Sequence, residues 1–340
     1  MAGDLVPLFS MAAVQVGFAG MNIISKIAMD SGMDPFVHVA YRQIVATLAL
    51  LPLAYFFDRK TRPKMSGEIL FLIFLCSIFG VTVNQITYIV GLKYSTPTIA
   101  CALANISPAV TYLIALPLRL ERLGLRSKAG LAKVLGTGVC VGGALLLSFY
   151  HGSAINVGHF QTHHRESPSA AGGGGGHANL IMGPFLLVLS AVSFSIWLII
   201  QSGVNRRYNA PFSTSAMMCL MASFECVIAA VCFDGLKPSA WGLSPYIRVL
   251  SCAYSGVVCS ALAYCVMSWC VDVKGPLYVS VFSPLMLVVV AILSWGILGE
   301  KLYLGTLMGS ILIVLGVYGV LWGNKEEATA AVEVEDDIEK

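Results

Sequence analysis

Gly80-Val81-Thr82-Val83-Asn84-Gln85-Ile86-Thr87-Tyr88, running on to Ser107-Pro108, has an echo later in the chain. The echo is Gly256-Val257-Val258-Cys259-Ser260-Ala261-Leu262-Ala263-Tyr264, running on to Ser283-Pro284. Each match is displaced by 176 residues: Gly80 onto Gly256, Tyr88 onto Tyr264, Ser107-Pro108 onto Ser283-Pro284. The same shift carries Pro35-Phe36 onto Pro211-Phe212 and Asp58 onto Asp234. A constant displacement held over such a length marks a duplicated chain, so each half is read as a version of the other.

The duplicated unit belongs in a membrane. Of 340 residues 57% are hydrophobic and 11% charged, whereas a soluble domain carries roughly 25% charge. Mean hydropathy is +0.80. Apolar runs long enough to span a bilayer recur along the chain, over about 8–28, 36–57, 69–91, 98–118, 131–150, 181–201, 213–233, 247–270, 277–298 and 304–323. They are expected to be helices, because lipid leaves unpaired backbone groups unsatisfied and barrel-like alternation is absent. The reading is an all-α membrane protein of ten spans. A net charge of +3 is too small and dispersed to point to nucleic acid. The ten cysteines lie within apolar runs without metal-ligand spacing and read as packing residues.

Five spans per repeat is odd, so the second repeat enters the membrane from the opposite side. Inverted repeats are a recurring transporter construction, with the solute site near the midplane between them. Arg59, Lys60, Arg62 and Lys64, then Arg119, Arg122, Arg126, Lys128 and Lys133, place the even-numbered loops and both termini in the cytoplasm. The bias is weaker in the second half. The organisation expected is a first repeat over 8–150, a Gly/His-rich linker over 151–180, a second repeat over 181–323 and an acidic, disordered cytoplasmic tail over 324–340. No cleavable signal peptide is evident at the N-terminus.

Polar side chains within spans are costly and mark candidate sites. Gln15, Asn22 and Lys26 share one face of the first helix, as a pore-facing stripe or as bonds between packed helices. Ser190, Ser193, Trp197 and Gln201 share a face of the sixth, with Trp197 equally compatible with packing. His38 and Arg42 are one turn apart; the Arg42 guanidinium either receives a solute carboxylate or snorkels to the interface. Asn84, Gln85 and Tyr88, with repeat mates Ser260, Ala261 and Tyr264, offer the donors and acceptors a polar solute needs. Pro108 and Pro284 are expected to kink the fourth and ninth helices as hinges, freeing carbonyls near Ala104 and Ser280 beside Asn105, Ser107 and Ser283. Glu225, mid-span, is a proton-coupling candidate or a neutral hydrogen-bonded carboxyl. Gly138–Gly142, Gly305–Gly309 and Gly319–Gly323 are Gly-x-x-x-Gly pairs that suit helix packing or a homodimer through the fifth and tenth spans. No nucleophile–base set, P-loop or metal cluster stands in the spans, so no enzyme activity, cofactor or metal is expected.

Several stretches carry a family resemblance: Ala40-Tyr41-Arg42, Leu51-Pro52-Leu53-Ala54-Tyr55-Phe56, Asn84-Gln85, Tyr94-Ser95-Thr96-Pro97-Thr98, Asn105-Ile106-Ser107-Pro108-Ala109, Leu135-Gly136-Thr137, Gly299-Glu300 and Leu321-Trp322-Gly323. Together they resemble EamA domains of the drug/metabolite transporter superfamily, in the plant nodulin-like branch of WAT-related or UMAMIT proteins. The resemblance covers about residues 8–323. It implies bidirectional or exporter-type transport of amino acids, or of auxin and related metabolites, in a plant plasma membrane or alternatively the vacuolar membrane. The leading expectation is therefore a secondary transporter working by alternating access. Its expected solute site is built from Gln15, Asn22, Arg42, Asn84, Gln85, Tyr88, Asn105, Ser107, Trp197, Ser260, Tyr264, Ser280 and Ser283. A membrane scaffold or receptor-like protein that moves nothing is the alternative from another class.

Overall fold

The computed structural model describes residues 2–58, 63–94, 103, 106–115, 117–118, 127–150, 154–155, 177–234, 241–298 and 302–338. Asn105, Ala104, most of the 151–180 linker and the side chain of Lys26 lie outside the described residues.

Helix boundaries follow local chemistry. Helix α1 (Ala2–Asp30) ends at Gly32, whose φ of 87° suits glycine. Asp34 then caps α2 (Pro35–Leu53), accepting from Phe36 N at 2.8 Å and Val37 N at 3.2 Å, with Pro35 opening the first turn. A π-helical turn, Ala54–Asp58, extends it. Ser66 caps α3 (Gly67–Ser77). This helix passes through a second π turn, Ile78–Val83, into α4 (Asn84–Tyr94). Next come α5 (Ser107–Ala115) and α6 (Lys128–Phe149), the latter capped by Ser127. The second half holds α7 (His177–Arg207) and α8 (Pro211–Asp234). It continues with α9 (Tyr246–Tyr254), a third π turn (Ser255–Leu262) and α10 (Ala263–Lys274). Gly275, at φ 89°, separates α10 from α11 (Pro276–Val281), followed by α12 (Leu285–Leu298) and α13 (Leu304–Ile338).

Among the described residues seven helices are long and apolar enough to cross a membrane, and Pro276–Val290 and Leu307–Gly323 are shorter apolar helices. With α5, every one of the ten expected spans carries helix. Strand β1 (Ala154–Ile155) pairs antiparallel with β2 (Leu302–Tyr303), tying part of the linker to the start of α13.

The repeat is visible in side-chain pairs. Phe36 stacks on Phe233 with ring centroids 5.0 Å apart, and Phe57 on Phe212 at 5.3 Å. The 176-residue shift converts one pair into the other. Between them, Thr47 Oγ1 and Ser223 Oγ lie 3.2 Å apart, and these two residues are themselves repeat mates. The start of α2 thus meets the end of α8, and the end of α2 meets the start of α8. The helices are antiparallel about a two-fold axis that runs across them, which is the inverted arrangement.

A second antiparallel pair, α6 with α13, packs backbone to backbone. A Cβ on Gly136 would lie 2.8 Å from Gly316 O, and one on Gly143 2.9 Å from Gly309 O. Lipid supplies no hydrophobic drive between helices, so such close approach does the packing. Of the glycine pairs singled out by spacing, Gly138–Gly142 points away from α13 into open space.

Three further features differ from the sequence expectation. The third and eighth spans are not continuous α-helices: each widens into a π turn around Gly80 or Gly256. The ninth span breaks between α11 and α12. The Ser280 carbonyl is not freed there, since Ser283 N donates to it at 3.0 Å in a tightened turn. Pro108 lies in the opening turn of α5 rather than within it. Finally, the tail is helical to Ile338 instead of disordered. Its Ala- and Glu-rich sequence has high helix propensity, and the last span supplies the nucleus.

Candidate functional site

The polar centre lies where α2, the two repeat-related π turns, α4, α7 and α10 meet. Arg42 on α2 is buried and donates Nε to Ser260 Oγ at 2.7 Å. Gln43, the next residue, donates Nε2 to Gln85 Oε1 at 3.0 Å and to Ser260 Oγ at 3.3 Å. Gln85 Nε2 donates to Tyr264 OH at 2.7 Å, and Tyr264 OH in turn to the Gly80 carbonyl at 3.3 Å. The Trp197 ring closes the cluster, tilted at 61° against Tyr264 with centroids 5.4 Å apart.

The π turns make this approach feasible. A Cβ on Gly80 would lie 2.5 Å from the Trp197 ring; a Cβ on Gly256 would lie 2.8 Å from Arg42 O. Glycine at both positions lets the neighbouring helices close on the network.

The cluster is electrically and chemically incomplete. Arg42 is 5% exposed, and no carboxylate pairs with it among the described residues. Its terminal guanidinium nitrogens make no hydrogen bond there, and Gln43 Oε1 and Trp197 Nε1 are buried without partners. A buried cation without a counter-charge is expensive. Unused donors on Arg42 beside an unused amide oxygen on Gln43 complement a solute carrying both a carboxylate and a donor. Arg42 does not snorkel, because its bond to Ser260 turns it into the protein.

Of the residues proposed from sequence, the structure brings together Arg42, Gln85, Ser260, Tyr264 and Trp197. Asn84 instead locks α4 to α7, donating to Ser190 O at 2.9 Å and Ser190 Oγ at 3.0 Å. Tyr88 is half-buried one turn further along α4. Gln15 is buried on α1, and Asn22 Nδ2 approaches Met286 Sδ on α12 at 3.4 Å. The Ser107 carbonyl accepts from Ser195 Oγ at 3.2 Å, Ser280 Oγ donates to Leu277 O at 2.9 Å, and Ser283 is half-buried at the α11–α12 break. Gln201 joins Asn205 and Ser268 in a separate clamp between α7 and α10. His38 Nε2 lies 3.0 Å from Ser251 Oγ.

Gln43 was missed by sequence reasoning. It lies off the His38–Arg42 face, and its repeat mate is Cys219, so neither periodicity nor the echo marks it. Glu225 forms a second polar site: Oε1 accepts from Ser77 Oγ at 2.6 Å, and Oε2 accepts from Thr82 Oγ1. Among the described residues no group of three or more His, Cys, Asp or Glu is placed to hold a metal ion.

A membrane helix bundle of two inverted repeats with a polar centre between them is a recurring transporter construction. The EamA-like transporter family model matches residues 6–149 and 181–322, and the chain belongs to that family. It is accordingly a multi-pass integral membrane protein. Two WAT1-related proteins of Arabidopsis thaliana are similar to it. One is 38% identical over 321 residues, covering 94% of this chain and 83% of its own. The other is 34% identical over 327 residues, covering 94% and 81%. Protein WALLS ARE THIN 1 of the same plant is 36% identical over 323 residues, covering 94% and 83%. One solved crystal structure shares the fold with a TM-score of 0.63 at 18% identity, covering 92% of this chain and 98% of that one.

Proposed function

We propose that the chain is a secondary transporter of amino acids or closely related carboxylate-bearing solutes, working by alternating access. The observation that carries this reading is Arg42, a buried guanidinium without a counter-charge at the interface of two inverted repeats. The solute carboxylate meets the free Arg42 nitrogens, and its amino group meets Gln43 Oε1. Gln85, Ser260 and Tyr264 hold both side chains in place, and family membership supports small-solute transport in general. Trp197 against Tyr264 favours one variant, an auxin-like solute whose carboxylate is carried by an aromatic ring. The lysine and arginine pattern supports cytoplasmic termini, with the plasma membrane as the location and the vacuolar membrane as the alternative.

The test is uptake of radiolabelled amino acids and of indole-3-acetate into proteoliposomes. Arg42→Gln is expected to lower transport at least about tenfold, the order of one lost charge-assisted contact, while Arg42→Lys retains part of it. Undiminished uptake by Arg42→Gln overturns the site assignment. Absence of flux for every solute favours the scaffold alternative.

A further inference from the structure

We propose that Glu225 is a proton-binding site whose occupancy is coupled to the solute site through the π turn Ile78–Val83. This rests on the transport reading above. Glu225 lies 14 residues into α8, about 21 Å along the helix at 1.5 Å per residue, so it sits deep within the span. A carboxylate there needs either a cation or strong donors. It has no cationic partner among the described residues; two hydroxyls serve instead, Ser77 Oγ on Oε1 and Thr82 Oγ1 on Oε2.

These two hydroxyls straddle the functional element. Ser77 is the last residue of α3, Thr82 lies within the π turn, and Gly80 between them gives its carbonyl to Tyr264 OH. The same six residues therefore report on the carboxyl at one edge and on the solute network at the other. When a proton binds, one carboxyl oxygen becomes an O–H donor, and the hydroxyl facing it turns from donor to acceptor. Ser77 Oγ retains its bond to Phe74 O at 2.8 Å, and Thr82 Oγ1 can turn to Cys226 Sγ, 3.8 Å away. Protonation thus reverses one hydrogen bond on the turn whose Gly80 carbonyl holds Tyr264, and frees that hydroxyl's hydrogen for another acceptor.

On α8 the titratable neighbours are Cys219 and Cys226, and Glu225 acts electrostatically on Cys226. From α2 the Arg42 charge reaches both cysteines; from α10, Tyr264 and Cys265 lie within electrostatic range of Cys219. Ser77 comes from the end of α3 and Thr82 from the π turn. The repeat mates of Glu225, Ser77 and Thr82 are Ala49, Ala253 and Val258. The second copy of the fold forms without this trio, so scaffold symmetry alone does not require it.

The experiment imposes a pH gradient on proteoliposomes holding the full-length protein and follows radiolabelled amino acids. Wild type is expected to accumulate solute, up to about tenfold for a one-unit gradient at one proton per solute. In Glu225→Gln, whatever its residual rate, flux should no longer respond to the gradient. A Glu225→Gln response equal to wild type, or wild-type flux indifferent to the gradient, overturns the proposal. If wild type moves no solute, the transport reading fails on its own. The proton site is then read by infrared spectroscopy of the protein in lipid nanodiscs. A protonated-carboxyl stretch that titrates with pH, vanishes in Glu225→Gln and shifts its midpoint in Thr82→Val supports the site. An unchanged spectrum in Glu225→Gln refutes it.

Discussion

Ser260 shows how much of the site hangs on single atoms. Its hydroxyl accepts from both Arg42 Nε and Gln43 Nε2. Hydrogen bonds between membrane helices are worth only about 0.6 kcal/mol on average, but a buried donor left unpaired costs about 1–3 kcal/mol and a charged one more. The second effect dominates in Ser260→Ala, because Arg42 is 5% exposed. A loss of about 1–3 kcal/mol is expected, read as a lower midpoint of thermal unfolding in detergent. Ser213→Ala is the control: its hydroxyl is buried without a partner, so the midpoint should hold or rise. The site was legible at this scale where residue type alone sufficed, as with Arg42 on an apolar helix or Tyr264 in the echo. Gln43 was not, because its importance comes from its neighbours in space. Asn84 misled for the same reason: its amide was available to a solute in sequence and is taken by Ser190 in the fold.

Elements raise the question of why both copies widen into π turns at the same place. Periodicity cannot reveal such a turn, since it inserts one residue without changing apolar content. Only the matched glycines hinted at it. Gly80 brings the turn against the fully buried Trp197, which has no room to retreat. Gly80→Ala is expected to cost about 1–3 kcal/mol by overpacking and to reduce transport by displacing the carbonyl that Tyr264 uses. Gly138→Ala on α6 meets nothing within 4 Å and should leave thermal stability unchanged or slightly raised. Equal losses at the two positions would show that the close approach at Gly80 does not matter. Helix ends are set by chemistry that crosses the repeat. Asp34 caps α2, but its mate Ala210 has no side-chain oxygen to offer α8; Asp58 from the end of α2 accepts from Ser213 N at 2.6 Å instead. The match of Asp58 with Asp234 was readable in sequence, whereas the capping role of Asp58 needed the antiparallel pairing.

The molecule as a whole is symmetric in scaffold and asymmetric in chemistry. The scaffold was readable from the 176-residue echo and the odd span count, and the antiparallel α2–α8 pair realises it. The polar groups sit mostly on one copy: Arg42, Gln43 and Gln85 face mates Met218, Cys219 and Ala261. The ends of the bundle follow the same logic. Arg207 at the end of α7 pairs with Glu68 at the start of α3. At the repeat-related position, Arg248 near the start of α9 grips the end of α1, donating to Ser31 O and to Ser31 Oγ at 3.2 Å, and to Gly242 O at 3.1 Å. The two clasps lie at opposite ends of the bundle, and the orientation proposed from the basic residues makes that of Arg248 the outer one. They are unequal. The Glu68–Arg207 side chains are 53% and 71% exposed in the order Arg207, Glu68, and an exposed pair contributes about 0–1 kcal/mol. Arg248 has three acceptors and stands beside the apolar cluster of Ala28, Met33 and Cys252. The outer clasp is therefore the stronger, and breaking it should shift the population toward outward opening. Cys252, 4% exposed behind that clasp, is a native reporter. In Arg248→Gln its labelling by a membrane-impermeant thiol reagent should rise severalfold over wild type, whereas in Glu68→Gln it should not. Equal labelling in both variants would mean that the two ends of the bundle do not open in opposition.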